Sequence, residues 1–539
     1  MRRKFVKSLT EKNQGTATSV ETDVRWEIKI INDSIREKED RKGLDPKKEK
    51  IPDQKNIGKT ENGNKIRILM AASEGAPFFV TGGLGEVIGA LPKAIMKKSS
   101  EQYDVRVILP LYESISPEVR NQMEFLGHFD IWLSWRKQYC GVFRIEKDGV
   151  IYYFIDNEYY FKRSIPYGYE DDGERFAFFS KAVLESIDTM DFEPDIIHCH
   201  DWQTALIPVY LHFTHHHLHL KSLFTIHNIE YQGKSDLSMI GDVIGLPPEA
   251  GGILEYQGCV NLMKAAIECA YKVNTVSPNY ANELSNDYFA KGLAPIIQRN
   301  NGKVRGIVNG IDMDYYNPQT DPSLFVNYDN DSIELKKLNK TELQKLVSLP
   351  ADDNVPLFAI VSRLVTHKGL DLVTHMMEKL LNEKVQVVVL GIGERKYEDY
   401  FKWLQEQYQG KVASLITFNQ DLARKIYAGA DFFLMPSKSE PCGLAQMIAS
   451  RYGAVPIVHG VGGLKDTIQD CSAGEGNGFV FEQYHGDYLM QAINRGLTAY
   501  QNKEDWNALV RWIMGINFSW DKSAREYESL YLELSKVIV

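Results

Sequence analysis

The chain has 539 residues, 44% apolar and 25% charged, with a net charge of -10; that length allows two or three folded domains. The acidic balance argues against a nucleic-acid binder, and no apolar run approaches the length of a membrane span. Six sparse cysteines without metal spacing, and an N-terminus lacking the apolar core of a secretory signal, lead us to expect reduced thiols in a cytoplasmic protein.

Residues 1–64 are rich in Lys, Glu, Asp and Asn with few large apolar side chains, so a charged, mostly disordered extension is expected, with one short helix over 24–35. From residue 65 β runs alternate with helical stretches. A strand over 65–72 leads through a loop into a helix through 88–97; strands follow over 105–109, 195–200, 221–227 and 272–276. Runs that are apolar throughout read as strands of a parallel sheet covered on both faces, and ligands collect beyond their C-terminal ends. The polar tips Ser73-Glu74, His200-Asp201, His227-Asn228 and Ser277 would then share one edge. A second series begins near Pro356, with strands over 357–362, 385–390, 413–418, 432–435 and 454–458; the polar, Lys-rich stretch 323–354 leads into it. The last helix, over 521–537, carries Tyr527, Leu530, Tyr531 and Leu534 at helical spacing, a core-packing stripe. This divides the chain into an extension (1–64), a first α/β domain (65–322), a second (323–515) and a C-terminal helix (516–539).

The phrase Gly-Gly-Leu stands between a strand and a helix in each half, as Gly82-Gly83-Leu84 and Gly462-Gly463-Leu464. Glycines there let backbone N–H groups approach an anion at a helix N-terminus, although turns also use glycine for steric reasons alone. Two such turns suggest two doubly wound domains facing one phosphate-bearing ligand. Arg363 and Lys368 follow the strand over 357–362. A guanidinium and an ammonium at one strand end suit a diphosphate whose charge grows as it leaves; in isolation they read as solvated surface charge. Glu440, between a strand and a helix, could accept hydrogen bonds from sugar hydroxyls or serve as a helix N-terminal charge. Other features are set aside. His215-His216-His217-Leu218-His219 offers i, i+4 spacing without a Cys or carboxylate and reads as a solvated loop. Asp312-Met313-Asp314 and Asp329-Asn330-Asp331 read as solvated turns, Gly391-Ile392-Gly393 lacks the third glycine of a dinucleotide fingerprint, and the aromatic run 151–161 reads as core and cleft lining.

Several stretches together resemble one family closely, the bacterial glycogen synthases and plant starch synthases. They include Ser73-Glu74 with Thr81-Gly82-Gly83-Leu84, His198-Cys199-His200-Asp201-Trp202, and His227-Asn228-Ile229-Glu230-Tyr231-Gln232-Gly233. Further on stand Asn309-Gly310-Ile311-Asp312, Ser362-Arg363 with Lys368-Gly369-Leu370-Asp371, and Glu440-Pro441-Cys442-Gly443-Leu444. Order and spacing agree from about residue 65 to the C-terminus. The resemblance implies an α/β fold of GT-B type: two Rossmann-like doubly wound domains, an interdomain cleft, and a last helix that returns to the first domain. It implies transfer of glucose from ADP-glucose to the 4-hydroxyl of an α-1,4-glucan, with retained configuration and no metal cofactor. The sequence does not decide between ADP-glucose and UDP-glucose, nor the oligomeric state.

Carried over position by position, Arg363 and Lys368 match the pair that stabilises the departing diphosphate, and Glu440 and His200 match residues beside the donor glucose. Gly82 and Gly83 match one phosphate-facing loop, Gly463 and Leu464 the loop opposite, and Phe418 falls where a ring meets the base. Glu74, Asp171, His227 and Asn228 fall on the acceptor side. Four departures are expected to touch the cleft: Val80 stands where the family has lysine, Glu86 where it has aspartate, His459 opens a stretch where it usually carries arginines and a threonine, and Gln203, a milder change, replaces a frequent histidine. The chain is therefore either an active synthase with altered donor affinity or a weakened paralogue that binds glucan and regulates an active one. No carboxylate offers itself as a nucleophile beneath the anomeric carbon, so a same-face substitution is expected, with the leaving diphosphate taking the acceptor's proton.

Overall fold

The computed structural model describes residues 65–536; the charged extension, with the helix expected over 24–35, lies outside the described residues. The first sheet comprises β1 (Ile66–Ala71), β2 (Tyr103–Pro110), β3 (Glu124–Leu133), β4 (Arg136–Lys147), β5 (Val150–Asp156), β6 (Ile196–His200), β7 (Lys221–Ile226), β8 (Lys272–Thr275) and β9 (Val304–Gly306). Its order is β9-β8-β7-β6-β1-β2-β5-β4-β3. From β9 to β5 every pairing is parallel. β6 and β7 are buried at every residue, as strands between two helical layers must be. β3 and β4 differ: they extend the sheet by antiparallel pairing, and β3 alternates exposed Asp130 and Trp132 with buried Ile131 and Leu133. That one-faced pattern lacks the continuous apolar run that marks the central strands, and the sequence reading places no strand there.

The second sheet comprises β10 (Leu357–Val361), β11 (Gln386–Leu390), β12 (Val412–Leu415), β13 (Phe432–Met435), β14 (Val455–His459) and β15 (Phe479–Phe481). Its order is β12-β11-β10-β13-β14-β15 and every pair is parallel. Each sheet reverses its winding once. From β1 the chain moves outward to β2 and later returns on the other side as β6; from β10 it moves to β11 and returns as β13. A crevice opens beyond the carboxyl ends of strands at such a switch point, so β1 with β6, and β10 with β13, mark where a ligand can enter.

Helix α1 (Gly83–Ser99) follows β1; Glu86 in its first turn and Lys97 and Lys98 in its last complement the helix dipole. It buries Leu84, Val87, Ile88, Leu91 and Ile95, the three- and four-residue spacing of one helical face. Helix α2 (Asp172–Glu185) covers the other face of the sheet. The stretch 323–354 contains helix α3 (Lys336–Leu346), whose Lys340 is buried and donates to Asp431 Oδ2 at 2.6 Å. Ile307 belongs to the first lobe's core and Ile311 and Tyr328 to the second's. The chain thus crosses between lobes near 307–311, and crosses back beside it, where Ile311 N–H donates to Phe518 O at 2.8 Å. Helix α4 (Trp520–Ser535) packs Trp520, Tyr527, Leu530, Tyr531 and Leu534 into the core of β1 and α1. Its Tyr531 hydroxyl meets His198 Nδ1 at 2.8 Å, and its Tyr527 hydroxyl accepts from Asn274 Nδ2 at 3.0 Å. Among the described residues no helix is long and apolar enough to cross a membrane.

Candidate active site

The two crevices open into one cavity of about 900 Å³, ample for a nucleotide sugar. The first lobe contributes Glu74, Val80, Gly82, Gly83, Asp201, His227 and Asn228 to its wall; the second contributes Arg363, Lys368, Phe418 and Glu440.

In the second lobe the loop after β13 carries Glu440 to the wall. Glu440 Oε2 accepts from Lys368 Nζ at 2.6 Å and from Ser437 Oγ at 2.9 Å, and both members of the ion pair are largely shielded from solvent. Arg363, on the turn after β10, is exposed and its guanidinium makes no ion pair or hydrogen bond among the described residues. At the wall Lys368 and Arg424 are thus neutralised by carboxylates, while Arg363 has no such partner among the described residues.

Backbone contact holds this loop in place. Gly462 has φ +45°, and a methyl group there would stand 1.9 Å from the carbonyl oxygen of Glu440; Gly369 has φ +78°, and a methyl there would stand 1.9 Å from that of Pro436. Neither position accommodates a side chain. This changes the role expected of the second glycine loop. Gly463 and Leu464 do not reach the cavity wall. The Gly463 N–H donates to the carbonyls of Glu440 and Pro441, that of Leu464 to Val461, and that of Gly462 to Glu283 Oε1 at 2.9 Å. With its amides engaged, the loop is a buttress under Glu440. His459 likewise lies below the wall: its ring is buried, stacks on Phe481 and hydrogen-bonds Ser437 O at 2.8 Å through Nδ1.

In the first lobe, Glu74 stands just beyond β1, and its carboxylate is engaged. Oε2 accepts from the Thr81 N–H at 2.7 Å and from the Thr81 hydroxyl; Oε1 accepts from the Gly85 N–H at 3.0 Å. Burial pushes this carboxyl above its ordinary range, against the pull of those donors. Glu74 thus shapes the first glycine loop, presenting Gly82 and Gly83 at the N-terminus of α1, where a Cβ would meet open space. Val80 and Glu86 line the same wall. Burial raises the Glu86 carboxyl, which accepts from the Tyr316 hydroxyl at 3.4 Å.

Beyond β6, Asp201 Oδ1 accepts from the His227 N–H at 2.7 Å and the Asn228 N–H at 3.3 Å. Burial raises its carboxyl to about 7. His227 is at the wall; His200 is wholly buried behind it, with Nδ1 2.9 Å from His227 Nε2. Burial holds both imidazoles below their ordinary range, His227 at about 3. Asp171 is not at the wall, and Arg163 Nη2 donates to its Oδ2 at 2.7 Å; its neighbour Asp172, itself paired with Arg175, lines the cavity instead. Phe418, on the loop beyond β12, is 76% exposed and faces the cavity.

Some contributors are not legible from the sequence. Tyr167, which shares a 2.8 Å hydrogen bond with Ser73 Oγ, and Tyr316 both line the wall. Neither belongs to a motif, and each reaches the site from a loop. Asp312 and Asp329 accept from backbone amides two and three residues on, the pattern of tight local turns.

Comparison with known proteins places this geometry. Residues 67–299 match a family model described as starch synthase catalytic domain, and residues 343–509 one described as glycosyl transferases group 1. A glycogen synthase of Clostridium botulinum is 45% identical over 479 residues, covering 87% of this chain and 100% of the relative. One from Streptococcus mutans is 45% identical with the same coverage. The solved catalytic domain of starch synthase IV from Arabidopsis thaliana, bound to ADP and acarbose, matches with a TM-score of 0.81 and 33% identity, over 88% of this chain and 100% of that one. A sucrose-phosphate synthase from Thermosynechococcus elongatus, at TM-score 0.55 and 18% identity, shares the fold alone. Two parallel-sheet lobes around one cavity are the GT-B architecture, and this chain belongs to the glycogen synthase family of glucosyltransferases.

Proposed function

We propose that this enzyme transfers glucose from ADP-glucose to the non-reducing 4-hydroxyl of an α-1,4-glucan with retention of configuration, in the cytoplasm and without a metal cofactor. The observation that carries the reading is the second-lobe wall: Arg363, unpartnered among the described residues, beside the Lys368–Glu440 pair. The Arabidopsis structure, described as bound to ADP and acarbose, supports a nucleotide and a glucan as the two ligands. Gly82 and Gly83, at a helix N-terminus on the opposing wall, would add backbone donors to the diphosphate. Fixed cations at developing negative charge lower a barrier without reorganising, and here they take the part a divalent cation plays elsewhere.

Glu440 supports retention by same-face substitution. Its Oε2 is occupied by Lys368 and Ser437, so the carboxylate is anchored to hold sugar hydroxyls and is not poised as a nucleophile. The bond from the anomeric carbon to the diphosphate oxygen breaks as the acceptor's 4-oxygen bonds to that carbon. The acceptor's proton passes to the leaving diphosphate. All six cysteines are unpaired, in keeping with a reducing compartment.

The test is product release from purified protein with glycogen and either ADP-glucose or UDP-glucose. Faster release with ADP-glucose is expected; tight glucan binding with no turnover on either donor would sink the reading. Val80→Lys, measured in the same assay, shows how far the lysine that the family carries limits this chain.

A further inference from the structure

Three histidines stand in a row, His198 within β6, His200 at its end and His227 just beyond β7, and the hydrogen bonds assign them different tasks. His198 is fully committed. The Thr225 hydroxyl donates to Asn274 Oδ1 at 2.5 Å, so it must accept from His198 Nε2–H at 2.6 Å; His198 Nδ1 then accepts from the Tyr531 hydroxyl. Its tautomer is fixed from within the protein. His200, whose ring lies 4.0 Å from that of His198, has one partner at Nδ1, the Nε2 of His227, and its own Nε2 is buried without a hydrogen bond. A buried orphan nitrogen is costly; His200 itself stands behind the wall, but its partner His227 lines the cavity, and a group supplied by a ligand there would complete the pair.

We infer that Asp201 and His227 are positioning residues that hold the His200 imidazole for a hydroxyl of the donor sugar. This rests on the proposed reaction. His227 can meet His200 only because the turn after β7 is tied down, and Asp201 ties it by accepting from two consecutive amides. Asp201 does so from φ +57°, ψ -178°, a conformation essentially reserved for glycine and strained for any other residue. Strain retained at a cavity wall, with the side chain engaged, marks a position that the surroundings over-determine.

The histidine pair has a further property. With both rings neutral, one proton lies between them. If His227 donates, His200 Nε2 carries a hydrogen and His227 Nδ1 is an acceptor; if His200 donates, the roles exchange. The two outer nitrogens therefore always present one donor and one acceptor. A sugar hydroxyl, which is both, suits either arrangement. A phosphate oxygen suits only the donor.

The experiment measures kcat and KM for His227→Phe, which keeps a ring but no nitrogen, and for His227→Gln, which restores an amide within reach of His200. Each is assayed with the intact nucleotide-glucose and with donors lacking one ring hydroxyl at a time. His227→Phe should lose about tenfold in kcat, the order of one neutral hydrogen bond, with KM little changed. Glutamine should recover part of the loss, and for one deoxygenated donor the two losses should not multiply. Asp201→Gly, which retains the backbone conformation without the carboxylate, should behave like His227→Phe with an unchanged melting temperature. Full kcat in His227→Phe while His200→Ala is impaired would overturn this inference and leave the proposed reaction standing, as would losses that multiply for every deoxygenated donor. Full kcat in His200→Ala would remove His200 from the donor sugar, and this inference with it.

Discussion

In the first lobe a carboxylate stands beyond each switch-point strand and ties down a neighbouring loop: Glu74 holds the first glycine loop, and Asp201 holds the turn after β7. In the second lobe the loops press on one another directly, with glycines where a side chain would collide, and its charged groups are left to face the cavity. One lobe puts its carboxylates into geometry; the other builds geometry from backbone contact and leaves the Arg363 guanidinium for the ligand. The side-chain charge that meets the developing anion should therefore sit in the second lobe, with the first lobe adding backbone donors at Gly82 and Gly83.

Arg363→Ala tests the division most severely. The side chain has no ion-pair or hydrogen-bond partner among the described residues, so stability should hold while kcat falls by about 10²–10³-fold, typical of one electrostatic donor to a transition state; near-normal turnover would place the developing charge elsewhere. Gly462→Ala reverses the pattern. It adds a Cβ against Glu440 O at a positive φ, and should lower unfolding free energy by about 2–4 kcal/mol, read from urea titration. An unchanged midpoint would show that the loop yields. Glu74→Gln puts an amide NH₂ where a carboxylate oxygen met N–H or O–H donors. About 1–3 kcal/mol should be lost, and nucleotide affinity at the second lobe should change less than turnover.

Taken step by step in pH, the smallest effect is on pH dependence. The folded state holds His227 neutral down to about pH 3, whereas the unfolded chain takes up a proton near pH 6.5. The unfolded state thus binds more protons between those values, and stability falls as pH is lowered through that window. Asp201, raised to about 7, acts in the opposite sense between about pH 4 and 7, so the comparison with His227→Phe isolates the histidine. The wild type should lose up to about 1.4 kcal/mol more per pH unit than the variant; parallel curves would mean that His227 is protonated in the fold.

Much of this was legible from residue order. The central strands announce themselves as apolar runs, and their polar tips, Ser73-Glu74 and His200-Asp201 in one lobe and Arg363 in the other, fall at the switch points. What was hidden is what each group already holds. Gly463 and Leu464 look like an anion loop because sequence shows a glycine pair and not where its amides point; they point at Glu440 and its neighbours. Asp171 and Asp172 are indistinguishable in sequence; each takes an arginine, Arg163 and Arg175, and only Asp172 reaches the wall. The β3–β4 ribbon escaped because one face meets water, and Tyr167 and Tyr316 because loops bring them in.

The last helix sets an order of assembly. Tyr527 and Tyr531 fill the core beneath β1 and β6 and complete the hydrogen bonds of His198 and Asn274. During synthesis the N-terminal lobe emerges first, yet its interior stays unfinished until nearly the whole chain has left the ribosome. Loss of some twenty C-terminal residues should thus disable the half of the enzyme made earliest, and the two halves should not survive as separately expressed fragments.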